Sequence, residues 1–101
     1  MYDVFIENCM VNATYRVLLD CNHTKTDLSK FFSIGKEKFE RNMIALKEAD
    51  LIDYKLQGYN YEIYINPRWF RIGHYVSPKV VEMFNLYDEI LVTKEIAESN
   101  G

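Results

Sequence analysis

The spacing of hydrophobic and polar residues changes along this chain, and each spacing predicts a different element. Two segments, 2–6 and 8–21, make up the N-terminal fifth. Residues 2–6, YDVFI, predict a short strand or an extended arm. In residues 8–21, the apolar side chains of Val17, Leu18 and Cys21 fall on one face at helical spacing. This pattern predicts a first helix over 8–21.

Two shorter segments with helical spacing follow. Thr24 and Asp27 have the T-x-x-D form of a capping box, which predicts a second helix from there to Phe32. A turn at 33–35 separates it from a third helix, with Gly35 in the N-cap position. The apolar stripe of the third helix, at intervals of four and three, consists of Phe39, Met43 and Leu46.

The pattern then changes to strict alternation. Residues 52–56 and 59–65 alternate apolar and polar side chains on either side of a break at Gln57 and Gly58. This arrangement predicts a β-hairpin. Pro67 ends the second strand, because proline has no N–H to donate to a ladder.

The last segment is predicted to be a helix over 77–97, with Ser77 as N-cap and Pro78 at its first position. This helix either packs on its own domain or pairs with its twin in a two-fold homodimer. We favour the dimer, because a chain of this size has little other use for a long apolar helix. Its apolar face, the candidate dimer interface, consists of Val80, Val81, Phe84, Tyr87 and Leu91.

Length and composition limit the architecture and the chemistry. A chain of 101 residues that is 49% apolar predicts one folded domain over 1–101, with core and hairpin in 8–66. The chain shows neither an apolar run of membrane-spanning length nor a signal-peptide start, so we expect a cytoplasmic protein. Cys9 and Cys21 lie on the predicted first helix, about 18 Å apart, and are expected to be free thiols. No catalytic or metal-binding spacing is present, so we expect neither an enzyme nor a metal or cofactor site.

The formal charge of −3 does not favour nucleic-acid binding, but its distribution does not exclude it. Residues 1–81 contain 11 bases and 10 acids, a net charge of +1. Residues 82–101 contain one base and five acids, a net charge of −4. The acidity therefore belongs to the C-terminal segment.

The segment 24–52 resembles the winged helix-turn-helix families of bacterial regulators and replication proteins. The matching positions are Leu28, Ile34, Phe39, Leu46, Ala49, Leu51 and Ile52. The resemblance implies a mainly α fold with a β-hairpin wing, here followed by a C-terminal dimerisation helix. A narrower likeness concerns residues 64–73, YINPRWFRIG, which are similar to the run after the wing in RepL-type plasmid and phage replication proteins of Firmicutes.

The winged-helix resemblance predicts that the third helix enters the major groove of duplex DNA. Lys36 and Lys38 would meet phosphates or guanine edges, Arg41 would contact guanine, and Glu37 or Glu40 would accept from cytosine. The alternative is a solvated face with an ion pair between Glu37 and Arg41.

The remaining candidate DNA contacts lie on the hairpin and after it; they are Lys55, Gln57, Tyr59, Arg68 and Arg71. Trp69, Phe70 and Tyr75 either stack on bases or close the core beneath a connector. The sequence as a whole predicts a sequence-specific DNA-binding homodimer in plasmid or phage replication or in transcriptional control. The rival interpretation is a winged helix that binds a host or phage protein and no DNA.

Overall fold

A computed structural model of the chain describes residues 1–9, 13–71, 73 and 75–87. The described part has a mixed α/β architecture with four helices and one two-stranded antiparallel sheet. In chain order the elements are α1 (Tyr2–Glu7), α2 (Lys25–Phe31), α3 (Lys36–Glu48), β1 (Ile52–Gln57), β2 (Asn60–Ile65) and α4 (Pro78–Phe84).

The N-terminal segment is helical, so the prediction of a strand or extended arm over 2–6 was wrong. Local composition favours a strand, but packing decides the outcome. In α1, Phe5 is completely buried, and its ring meets that of Phe32 edge to face at 5.7 Å between centroids. Asn8 ends the helix, and its side-chain amide donates to the Val4 carbonyl at 2.8 Å.

The predicted helix over 8–21 is also wrong, because residues 14–19 run beside β2 as an irregular extended segment, in which Arg16 bridges to Tyr64 and Tyr15 has a left-handed φ of 54°. Within this segment Tyr15, Val17 and Leu19 are buried and the residues between them face outward. The Val17 amide donates to the Ile63 carbonyl at 2.9 Å, and Tyr15 accepts from the Ile65 amide at 3.0 Å. The two-residue period was hidden by Leu18, an apolar residue on the outer face.

His23 fixes the end of this extended segment. Its Nε2 accepts from the Leu19 amide at 3.1 Å, and its Nδ1 lies 3.2 Å from the Tyr61 carbonyl. The Tyr61 amide donates back to the His23 carbonyl at 2.8 Å. The imidazole therefore has a structural role, with the Nδ1–H tautomer matching both contacts.

The predicted second and third helices are confirmed, and both begin at the predicted caps. The Thr24 side chain accepts from the Asp27 amide, and Gly35 is the N-cap of α3. Helix α2 ends in a Schellman motif, in which Ser33 adopts a left-handed φ of 55°. The Ile34 amide then donates to the Ser29 carbonyl at 3.0 Å. This motif fixes the angle at which the chain enters α3.

The predicted hairpin is confirmed, with Ile52 opposite Ile65 and Gln57 opposite Asn60. Gly58, at a φ of 62°, forms the turn, where a side chain would be strained. On β2 the side chains of Tyr61, Ile63 and Ile65 face the helices; the intervening positions face the opposite side.

Helix α4 begins where the sequence predicts but is shorter. Ser77 caps it, and Asn85 ends it in the left-handed conformation at a φ of 54°. A continuous helix over 77–97 is therefore wrong at residues 85–87. The rest of that prediction, including Leu91, lies outside the described residues.

A single apolar core joins all of these elements. Its fully buried side chains include Phe5, Leu28, Phe39, Met43, Ile52, Ile63, Ile65 and Leu86. The predicted stripe on α3 is confirmed, with Leu46 half-buried beside the other two residues. No helix among the described residues is long and apolar enough to cross a membrane.

Candidate nucleic-acid interface

Helix α3 directs its basic side chains away from the core. Lys36, Lys38 and Arg41 are all exposed, while Phe39 and Met43 are completely buried. Lys38 and Arg41 lie on the side opposite these two residues, whereas Lys36 is the first residue of the helix and lies at the end of the buried stripe. Ile44, 47% exposed, continues the outward surface in the next turn. The first two turns of α3 therefore present three exposed cations, two of them, Lys38 and Arg41, on the side away from the core.

The three bases have no partner in the part of the chain that the structure describes. The predicted alternative, an ion pair between Glu37 and Arg41, is not formed among these residues. Glu40 instead pairs with Lys25 at the start of α2. This contact raises the pKa of the Lys25 ammonium, first through the hydrogen bond and then through the charge of the carboxylate.

The Lys25–Glu40 pair changes the charge of the α3 surface. With Glu40 neutralised, the first two turns carry three bases against one unpaired acid, Glu37. Sequence reasoning missed Lys25, because its partner lies 15 residues away and no local spacing signals the contact. Because Lys25 contacts Oε1 of Glu40, the predicted role of Glu40 as an acceptor from cytosine would fall to Oε2.

The hairpin turn supplies polar rather than basic groups. Lys55, Gln57 and Tyr59 are exposed, and Tyr59 reaches 88% exposure. Leu56, between the first two of these, is 57% exposed. The tip can therefore donate hydrogen bonds and offer apolar surface, but its electrostatic attraction for a phosphate rests on one lysine.

Arg68, a predicted DNA contact, is partly buried and is held by contacts within the fold. Its Nη1 donates to Asp50 Oδ2 at 2.6 Å, and its Nη2 lies 3.4 Å from the Phe84 carbonyl. These contacts join the end of α3 to the end of α4. Arg71 differs, because its side chain is exposed and forms no ion pair with any described residue.

Asn66 organises the same corner from within. It is completely buried, and its side-chain amide donates to the Asp50 carbonyl at 2.7 Å. Its side-chain oxygen accepts from the Arg68 amide at 2.9 Å, and its own amide donates to Leu51 at 3.0 Å. The Asn-Pro pair at 66–67 is thus a fold determinant that holds β2 against the end of α3.

The aromatic residues after β2 divide between the two predicted roles. Phe70 is half-buried and packs against the core, whereas Trp69 is 60% exposed and Tyr75 is 47% exposed. Burial of Phe70 is consistent with closing the core beneath the connector. Base stacking by Trp69 or Tyr75 stays a prediction.

The candidate dimer residues are not equally accessible. Val80 and Phe84 are buried in the core of their own chain, and Val81 is half-buried. Tyr87 is 52% exposed. Pairing of two chains stays a prediction, and the side chains of Val80 and Phe84 already have intramolecular packing.

The cysteines are free thiols in different environments, not neighbours on one helix. Cys9 is buried, and burial raises the pKa of its thiol to about 11. Burial is also the main cause that raises the pKa of Cys21, with smaller effects from Asp27 and Asp20. Among the described residues, no group of three or more His, Cys, Asp and Glu side chains could hold a metal ion.

Comparison of the chain with models of protein families, with curated proteins and with solved structures yielded no match.

Proposed function

We propose that this chain is a winged helix-turn-helix protein that binds specific sites on duplex DNA. The order of elements supports this proposal: α1, an extended segment, α2, α3 and a hairpin whose second strand pairs with that segment. The tight turn between α2 and α3, closed by a Schellman motif, is typical of helix–turn–helix geometry. A cytoplasmic role in plasmid or phage replication or in transcriptional control fits the resemblance of residues 24–52.

One observation carries the proposal: Lys36, Lys38 and Arg41 are exposed in the first two turns of α3 and have no intramolecular partner among the described residues. An unpaired, extended base is available for a phosphate or a guanine edge without first breaking an ion pair. Arg41, in the second turn of α3, is the residue we assign to guanine. Glu37, the remaining acid, would accept from the N4 amino group of cytosine.

Exposed residues of the hairpin and of the segment after it extend the proposed interface. Lys55, Gln57 and Tyr59 on the hairpin and Arg71 after it are exposed and would contact the backbone or the minor groove. Arg68 is left out of this set, because Asp50 and Phe84 occupy its guanidinium.

We further propose that the protein acts as a homodimer, because two-fold symmetry matches paired DNA half-sites. The exposed Tyr87 and the acidic segment after it are the places to look for the second copy. Val80 and Phe84 are buried, so they would pack α4 against the core of their own chain and would not contact the partner.

A selection from a random duplex library tests the DNA proposal directly. Wild-type protein should enrich a common sequence, and Lys36→Ala/Arg41→Ala should enrich none. Lys79→Ala is the matched control, because Lys79 lies over Tyr64, on the side of the sheet opposite the core-facing Ile63. Equal enrichment by wild type and the double variant would remove α3 from the interface.

The competing function is a protein-binding module without DNA binding. The observation in its favour is the exposed Leu56 and Tyr59 at the hairpin tip, since a few apolar or aromatic anchors commonly carry the energy of a protein contact. In this case Leu56→Ala/Tyr59→Ala would abolish capture of a specific partner, and the α3 variant would not. That result, together with a failed DNA selection, would replace the DNA proposal.

A further inference from the structure

A hollow of about 320 Å³ opens between the extended segment, β2 and the start of α4. Its lining includes two cationic side chains, Arg16 and Lys79, and no carboxylate among the described residues. Leu18 and Val80 add apolar surface, and Tyr64 adds a ring and a hydroxyl. The hollow is therefore a positively charged cleft with an apolar body, which has no part in the DNA interface proposed above.

Arg16 is the unusual residue of this cleft. Its backbone bridges to Tyr64, but its guanidinium forms neither a hydrogen bond nor an ion pair with a described residue. The Nε atom of Arg16 is buried and has no hydrogen-bond partner among the described residues. A buried donor without a partner is unfavourable, so an apolar side chain would suit the fold at this position at least as well as arginine does.

Lys79 approaches the same space from the first turn of α4. Its Nζ lies 5.4 Å from the centre of the Tyr64 ring and 3.3 Å from the Tyr64 hydroxyl. That hydroxyl can donate onward to Glu62 Oε2 at 3.3 Å. Glu62 lines the neighbouring hollow, which shares Arg16 and Leu18 with this cleft, but it does not line the cleft itself. Lys79 therefore has N–H groups left for a ligand, and the nearby acid is already engaged by tyrosine.

From this arrangement we infer that the cleft binds a small organic anion, with its charged group held between Arg16 and Lys79. Guanidinium and ammonium groups together favour a phosphate or carboxylate head. A volume of about 320 Å³, at the lower end of ligand pockets, suits a compact apolar body such as one ring. Leu18 and Val80 would contact that body, while the anionic head would occupy the donors of Arg16.

The cleft lies on the side of the sheet opposite α3. On β2, Ile63 and Ile65 face the core, and Tyr64 between them faces the cleft. A ligand there would not compete with DNA for the basic residues of α3. Anion binding can therefore be measured on the full chain without DNA, and its outcome is independent of the DNA proposal.

Phenyl phosphate is a suitable probe, because it combines the anionic head with one ring. Calorimetric titration of the full chain at 0.15 M salt should show saturable binding with one site per chain. Inorganic phosphate, which lacks the ring, and phenol, which lacks the charge, should each bind at least tenfold more weakly. No saturation by phenyl phosphate, or equal binding of the three probes, would overturn the inference.

Three variants assign the binding to the cleft. Lys79→Gln should weaken phenyl phosphate binding at least fivefold, and Arg16→Met should abolish it. Lys55→Gln removes an exposed lysine of the same sheet that does not line the cleft, and its affinity should stay within twofold of wild type. Unchanged binding in both Lys79→Gln and Arg16→Met would contradict the assignment.

Arg16→Met also has a stability readout that a purely structural arginine would not give. Because it removes an unpaired buried donor, its thermal midpoint should equal or exceed that of wild type while binding is lost. A lower midpoint would mean that the fold also needs Arg16, and Lys79→Gln would then decide, with unchanged binding in that variant overturning the inference. The exposed Lys79 side chain can be replaced without risk to the core, so its variant decides the question if Arg16→Met cannot be purified.

Discussion

Replacement of Asn66 by alanine should destabilise the protein far more than truncation of an exposed polar side chain. The change removes two side-chain hydrogen bonds at a completely buried position, one to the Asp50 carbonyl and one from the Arg68 amide. A fully buried backbone group left without a partner costs about 1–3 kcal/mol, and the Asp50 carbonyl and Arg68 amide are partly buried. Part of this cost is recovered if water enters the space left by the amide, so we expect a loss of about 2–4 kcal/mol.

Such a loss is a large share of the roughly 5–15 kcal/mol that holds a small domain together. Chemical denaturation followed by circular dichroism measures it as a lower midpoint at an unchanged slope. In thermal unfolding the midpoint should fall by about 8–30 °C. The matched control is Asn42→Ala, because Asn42 is half-buried on α3 and its amide reaches only the Met1 sulfur, at 3.9 Å. Equal effects of the two variants, both below about 0.5 kcal/mol, would refute the structural role of Asn66.

Three further predictions concern other residues. Arg68→Ala should lower the free energy of unfolding by about 1–2 kcal/mol and leave affinity for selected DNA unchanged. Arg71→Ala should weaken DNA binding without loss of stability. The reverse pattern in unfolding and binding assays would return Arg68 to the proposed interface. Ser33→Gly should stabilise the protein by about 0.5–1 kcal/mol in denaturant titrations, because an exposed serine holds a left-handed φ of 55°; a loss would contradict this. A thiolate-directed reagent at pH 8 should modify Cys21 before the buried Cys9, and modification of Cys9 first would contradict its burial. Because burial raises the pKa of Cys9 to about 11, the free energy of unfolding should also fall as pH rises from about 9 towards 11.

Much of the central fold could be predicted from the sequence, because its signals are local. The Thr24 cap, the Gly35 N-cap and the turn at Gly58 each determine the conformation of a few neighbouring residues. The apolar stripe of α3 and the alternation of the hairpin have periods that only one element type satisfies. These features placed α2, α3, β1 and β2 within a residue or two of their observed bounds.

The N-terminal fifth failed for the opposite reason, since tertiary packing overrides local preference there. YDVFI is rich in strand-forming residues but is helical because Phe5 fills the core beside Phe32. Residues 14–19 look helical because Leu18 breaks the two-residue period, yet they pair with β2 through long-range hydrogen bonds. Neither contact leaves a signal within a short window of sequence.

In the candidate site, too, local features could be predicted from the sequence and long-range contacts could not. Exposure of Lys38 and Arg41 followed from the helical period of α3 and agrees with the structure, whereas Lys36 is exposed because it is the first residue of the helix. The partners of Glu40 and Arg68 could not be predicted, since Lys25 and Asp50 lie 15 and 18 residues away from them. Long-range ion pairs therefore decide which charges of a predicted interface are available.

The most direct test of the central claim is the salt dependence of affinity for the selected duplex. Wild-type protein should bind with a steep linear fall of log K against log salt concentration, and each phosphate contact that is removed should reduce the slope by about 0.9. Lys36→Ala should therefore lower the slope by about one unit, and Arg41→Ala should cost about 1–3 kcal/mol at the selected site. Lys79→Ala should change neither quantity. Identical slopes and affinities for wild type, Lys36→Ala and Arg41→Ala would contradict DNA recognition by α3.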